Sequence, residues 1–123
     1  FPTRRSSDLN EAHDVYRQPF QTEKSRIQVN QWPNEMPIGQ VPQETHDIVT
    51  AYNAWLEETE IPWLFLYATP GALNPPEAAD YWAERAKNIE IVYIGAGLHY
   101  VQEDQPYAIG RAISDWHRRT QAR

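Results

Sequence analysis

Apolar residues recur along this chain with two different periods, and the period predicts the element. Across residues 42–59, Ile48, Tyr52, Trp55 and Leu56 fall at helical spacing, with Glu44, Asp47, Asn53 and Glu57 between them. That pattern predicts an amphipathic helix with one buried face. After Pro62 the run WLFLYAT is continuously apolar, aromatic-rich and too short for a helix. It predicts a strand over residues 63–68 that is central, parallel and buried on both faces. A second strand is predicted over 89–94. Between the two, Asn74 followed by Pro75 and Pro76 marks a helix start running to about residue 87, with Asn as cap and Pro in the first turn, where its missing N–H costs little. A final helix is opened by Asp104 and Pro106, carries Ile109, Ala112, Ile113 and Trp116 on one face, and ends in His117, Arg118 and Arg119. Those terminal cations suit the negative end of the helix dipole.

Upstream, residues 10–41 hold short helical pieces separated by Pro19, Pro33 and Pro37, because proline lacks a donor N–H and interrupts a helix. This stretch reads as a lid or connector. The order lid, helix, strand, helix, strand, helix belongs to the α/β class, with right-handed crossovers expected between parallel strands. Sheets commonly have about 4–6 strands, so two strands predict the last part of a larger domain. Residues 10–41 are then a lid or connector, and residues 42–123 the C-terminal part of the core. The opening FPTRRSSDL is basic, serine-rich and unlike the rest of the chain. It resembles a translated adapter, and residues 1–9 are read as foreign to the fold.

Composition narrows the function classes. A formal net charge of -6 argues against a nucleic-acid partner, since phosphate affinity comes from clustered Lys and Arg. No apolar run approaches the roughly 20 residues needed to cross a bilayer, and no signal segment opens the chain, so a soluble protein without a membrane partner is expected. Cysteine is missing from the sequence, which fits a reducing, cytoplasmic compartment. The five Trp and seven Tyr suit either a core or an apolar ligand cavity.

Candidate chemistry centres on GAGLHYVQED, residues 95–104, which sets His99 just past an apolar run. Imidazole exchanges protons near neutral pH. His99 also lies at the carboxyl end of a predicted parallel strand, where open α/β sheets gather catalytic groups. The competing reading is a loop imidazole that caps the next helix. Asp104, directly before a helix, reads as an N-cap, and neither it nor Glu103 is assigned to catalysis. There is no G-x-S-x-G elbow, no glycine-rich phosphate loop and no metal-ligand spacing, so neither a metal nor a cofactor is expected.

The strings ATPGALNPPEAA and IGAGLHYVQEDQPYAIGRAISDW, with the upstream YRQPF and WPNEMPI, resemble the C-terminal part of haloalkane dehalogenases of the α/β-hydrolase superfamily. The resemblance covers residues 10–120. It implies the end of a helical cap followed by the last two parallel strands and flanking helices of an α/β-hydrolase fold. It implies an activity as well: haloalkane and water give alcohol and halide through an aspartyl alkyl ester, with His99 as the water-activating base. The nucleophilic Asp, its neighbouring Trp, a halide-binding Asn and a Glu acid would lie upstream in the same domain. An Asp-type subfamily places its acid after the strand matching WLFLYAT, but ATPGALNPP has no acid there, which favours the Glu-type arrangement. The resemblance places Trp32, Met36 and Ile38 at the end of the cap and Ala72, Leu73 and Tyr100 around the pocket and its entrance. An apolar pocket suits a small halogenated substrate, with water and halide as the remaining partners. Epoxide hydrolases share the histidine loop and the cap, and an aromatic-rich binding module with a structural His99 is the reading from another class.

Overall fold

The computed structural model describes residues 6–122. They divide into two compact units, with the boundary between Thr50 and Ala51. Residues 1–5, part of the segment read as foreign, lie outside the described residues.

In the first unit, helix α1 spans Ser6–Arg17 and helix α2 spans Ile27–Asn34, with two single 3-10 turns, Gln18–Phe20 and Lys24–Arg26, between them. Pro19 sits in the first of these turns, as a separator would. Pro33 does not separate elements: it lies inside α2 at its penultimate position, where the helix is already ending. A Thr22–Ser25 pair closes the turn before α2, each side-chain oxygen accepting the other's backbone N–H at 3.1 and 3.2 Å. Helix α3, Gln43–Glu58, begins in this unit and crosses into the second.

The predicted α3 helix is present, but its predicted buried face is not. Ile48, Tyr52 and Trp55 are 60%, 50% and 53% exposed. An amphipathic stripe is buried only where a second layer covers it. Within the second unit no described layer covers Tyr52 or Trp55.

The second unit is built on strands β1, Trp63–Pro70, and β2, Ile89–Gly97, joined by helix α4, Pro76–Arg85. The strands pair in parallel, Trp63 opposite Ile89 and Tyr67 opposite Tyr93, as the apolar runs predicted. Within this chain they form a two-stranded sheet, so neither strand has both edges paired by another described strand. Nor is β1 buried on both faces: Trp63 to Tyr67 are half-buried and only Ala68 is fully covered. Among the described residues the buried apolar side chains are Ala68, Ala79 and Ile94. Around them Trp63 meets Trp82 of α4 edge-on at 5.1 Å, and Tyr67 stacks at a tilt on Tyr93 across the strands at 5.2 Å. These aromatic geometries favour the ring quadrupoles.

The end of α3 is tied to the α4 and β2 side of the unit by polar side chains. The Tyr81 hydroxyl donates to Glu57 at 2.9 Å, Lys87 pairs with Glu58, and the Asn88 amide donates to the Glu60 carbonyl. After β2 comes a four-residue helical turn, α5, Val101–Asp104, then the long helix α6, Pro106–Gln121. Both α4 and α6 pack against both strands, and Arg119 near the end of α6 pairs with Glu90 of β2.

Two helix starts differ from expectation. The cap position of α4 is Pro75, not Asn74, and the Asn74 amide instead donates to the Leu66 carbonyl of β1 at 3.3 Å. Asp104 is the last residue of α5, and Gln105 holds the cap position of α6. In both cases a polar residue before a helix has found a partner or an element that lies behind it in the chain, which local cap statistics do not weigh.

Candidate active site at the carboxyl end of the strand pair

Two loops leave the carboxyl ends of β1 and β2 side by side. The N–H of Gly71 donates to the Gly97 carbonyl at 3.0 Å, and that of Ala72 to the Leu98 carbonyl at 2.5 Å. Backbone pairing thus continues past the strands and holds Leu98, the residue before His99, against Ala72.

Glycine makes each loop possible. Gly71 has φ +64°, and a Cβ there would stand 2.6 Å from the carbonyl oxygens of both Ala68 and Asn74. The turn is closed by the Ala68 N–H donating to the Asn74 carbonyl at 3.4 Å. Left-handed backbone alone costs a side chain about 1–2 kcal/mol, and the two carbonyl contacts add to that. Gly71→Ala is therefore expected to lower unfolding free energy by at least about 2 kcal/mol. Chemical denaturation of a full-length protein in which this chain replaces the matching third of a haloalkane dehalogenase measures this, and an unchanged midpoint would show that the turn relaxes freely.

On β2, Tyr67 pairs with Tyr93 but Thr69 pairs with Ala96, so β2 carries one more residue than β1 over this stretch. The extra residue makes a bulge, at which Gly95 adopts φ +109°. A bulge re-aims the chain beyond it. Two residues past β2 comes His99, exposed, its ring edge-on to that of Tyr100 at 4.7 Å.

The structure therefore brings four of the candidate residues, Ala72, Leu73, His99 and Tyr100, to one end of one sheet. Their side chains are exposed. Trp32, in α2, and Met36 and Ile38, just after it, lie in the first unit, also exposed. Ile38 bridges to Val41 there. Two hollows among the described residues lie elsewhere. One surrounds His13, Tyr16 and Phe20, and the other opens at the start of the strands around Trp63, Glu90 and Arg119.

Sequence reasoning passed over Gln105. Its side chain closes the base of the His99 loop by donating to the Ala96 carbonyl at 2.8 Å. The GAG triplet at the end of an apolar run was the available signal for the bulge that this bond serves.

A parallel strand pair with a helical crossover, and a histidine on the loop after its second strand, is a unit of an open α/β sheet with a candidate catalytic group at its carboxyl end. No protein-family model matches the chain. Individual proteins do. Haloalkane dehalogenase of Mesorhizobium japonicum is 43% identical over 103 residues, covering 84% of this chain and 33% of that protein. Haloalkane dehalogenase of Bradyrhizobium diazoefficiens is 39% identical over 101 residues, covering 82% and 33%. Among solved structures, haloalkane dehalogenase DbeA from Bradyrhizobium elkani superposes with a TM-score of 0.86 at 38% identity, over 91% of this chain and 38% of that one. By sequence and by fold the chain is similar to haloalkane dehalogenases over more than four fifths of its own length. It spans about a third of the length of the curated relatives it matches.

Proposed function

We propose that this chain supplies the histidine base and part of the pocket wall of an enzyme that hydrolyses haloalkanes to alcohol and halide. The observation that carries the proposal is the place of His99, on a loop held by backbone hydrogen bonds against the loop after the neighbouring strand. Catalytic groups of open α/β sheets collect at that end.

The reaction divides into two steps. In the first, an aspartate carboxylate supplied by the rest of the domain attacks the halogen-bearing carbon. A C–O bond forms, the C–halogen bond breaks, and its electron pair leaves with the halide. No proton moves, so His99 is idle. In the second, His99 takes a proton from water as the water oxygen adds to the ester carbonyl carbon. Collapse of the tetrahedral intermediate breaks the carbonyl C–O bond to the alkoxy group, which takes the proton back from His99 and leaves as alcohol; the carboxylic acid left behind releases the second proton of the water to solvent and is again the carboxylate. Ala72, Leu73 and Tyr100 act as pocket wall and entrance, and Trp32, Met36 and Ile38 form the end of the cap. Apolar walls suit a substrate that offers little to hydrogen-bond.

The test is a chimaera in which this chain replaces the matching third of the Mesorhizobium japonicum relative. Halide release from a 1-haloalkane, with the matching alcohol as product, supports the proposal. A folded chimaera that releases none, or that opens epoxides instead, overturns it. Within the same chimaera, Leu73→Ala is expected to raise KM for a long 1-haloalkane several-fold, up to about tenfold, with kcat little changed, because lost apolar contact weakens ground and transition states alike. A fall in kcat at unchanged KM would remove Leu73 from the pocket wall.

A further inference from the structure

We infer that Gln105 is a positioning residue for His99, an inference that rests on His99 being the base. The bulge at Gly95 leaves β2 out of step with β1 just before the chain must present His99. Something has to hold that bend. The Gln105 carboxamide lies in its crook: a Cβ on Gly95 would come within 3.1 Å of both its carbon and its nitrogen, tighter than ordinary van der Waals contact. From there Nε2 donates to the Ala96 carbonyl at 2.8 Å. The same residue's backbone N–H donates to the Val101 carbonyl at 2.8 Å, and its carbonyl accepts the Ile109 N–H at 3.0 Å. One residue therefore ties the strand end, the α5 turn and the first turn of α6 together.

The other end of the loop is also pinned. At Gly97 a Cβ would stand 3.0 Å from Cγ1 of Val101, so α5 sits directly on the strand. His99 is carried on the few residues between these two anchorages. The Gln105 bond fixes the peptide plane of Ala96, and through it the direction in which the chain leaves β2. If the bond is lost the bulge can turn, and the imidazole is displaced from the water it must deprotonate. Attack by the carboxylate in the first step makes no use of His99 and so makes no use of Gln105.

Gln105→Leu, which keeps the bulk and loses the donor, tests this in the chimaera alongside His99→Phe and the double variant. Rapid mixing with a 1-haloalkane reads the halide burst, and mass spectrometry reads the decay of the alkyl adduct. The expected result is a burst like the parent's with adduct hydrolysis slowed about 10–100-fold, the range a misplacement of order 1 Å produces. The double variant should hydrolyse its adduct no more slowly than His99→Phe alone, because Gln105 acts only through the imidazole. A Gln105→Leu adduct that decays at the parent rate, or a double variant slower than His99→Phe, overturns the inference while leaving His99 as base. If His99→Phe itself turns over normally, the reading of the base fails and the positioning role falls with it. Should Gln105→Leu lose its cooperative thermal transition, Gln105→Glu serves in its place. It is isosteric, is unable to donate to a carbonyl when ionised, and is held to the same outcomes.

Discussion

His99→Phe in the chimaera is expected to stop the reaction halfway. The aspartyl alkyl ester should form at close to the parent rate, since halide displacement needs no base. Its hydrolysis should slow by about 10²–10⁴-fold, the usual worth of a positioned general base. The protein would then accumulate as a covalent adduct, heavier by one alkyl group, with one equivalent of halide released and no further turnover. Intact-protein mass spectrometry and halide titration read both quantities. Turnover like the parent's would show that His99 is not the base. A folded variant that releases no halide at all would show that the two steps are not separable in the way proposed. Phe is the informative replacement because it keeps the ring, and with it the edge-on contact to Tyr100. A loss of activity then reports the missing nitrogen rather than a collapsed loop.

The parts of this fold that were legible in the sequence are those set by several residues at once. Both strands, the helix between them and the helices on either side announce themselves through runs or periods. The parallel pairing followed from a helical connection between two apolar runs. Features that depend on a single partner were not legible. Asn74 looks like a helix cap, yet its amide reaches the Leu66 carbonyl eight residues back, and only the folded chain shows that this carbonyl is within range. Asp104 looks like a cap for the same reason and is instead the end of a short turn.

Gln105, between an acid and a proline, gives no pattern at all. Its significance comes from the bulge: the GAG triplet could signal that β2 bends, but which side chain holds the bend is seen only in the folded chain. The apolar face of α3 marks a different boundary. Periodicity established that Ile48, Tyr52 and Trp55 share a face, but whether a face is buried depends on what stands opposite, and that is set by residues outside the pattern. His99 was legible as a candidate through its place after a strand. Its relation to Ala72 and Leu98 was not, because it rests on two backbone hydrogen bonds.

The chain produced by itself is expected to release no halide and to lack a fixed tertiary structure. Its second unit buries two alanines and one isoleucine as apolar side chains, while Tyr52, Trp55, Tyr93 and Ile113 remain about half exposed or more. Ordering each residue costs about 1–2 kcal/mol of backbone entropy, and burial of large side chains is the main term that offsets it. Here most of that burial is missing. A two-stranded sheet with both outer edges unpaired adds little, because pairing energy grows with the number of ladders that are completed. Helix α6, with half-buried Trp116, can still form locally, so far-ultraviolet circular dichroism should report helix. Near-ultraviolet signals from the tryptophans should be weak, a dye for exposed apolar surface should bind, and heating should give a broad transition. Covering the α3 and sheet faces by fusion into the chimaera should reverse all three. A sharp thermal transition with strong near-ultraviolet signals from the isolated chain would show that these faces need no cover, and halide release lost on His99→Phe would show that the chain alone assembles the site.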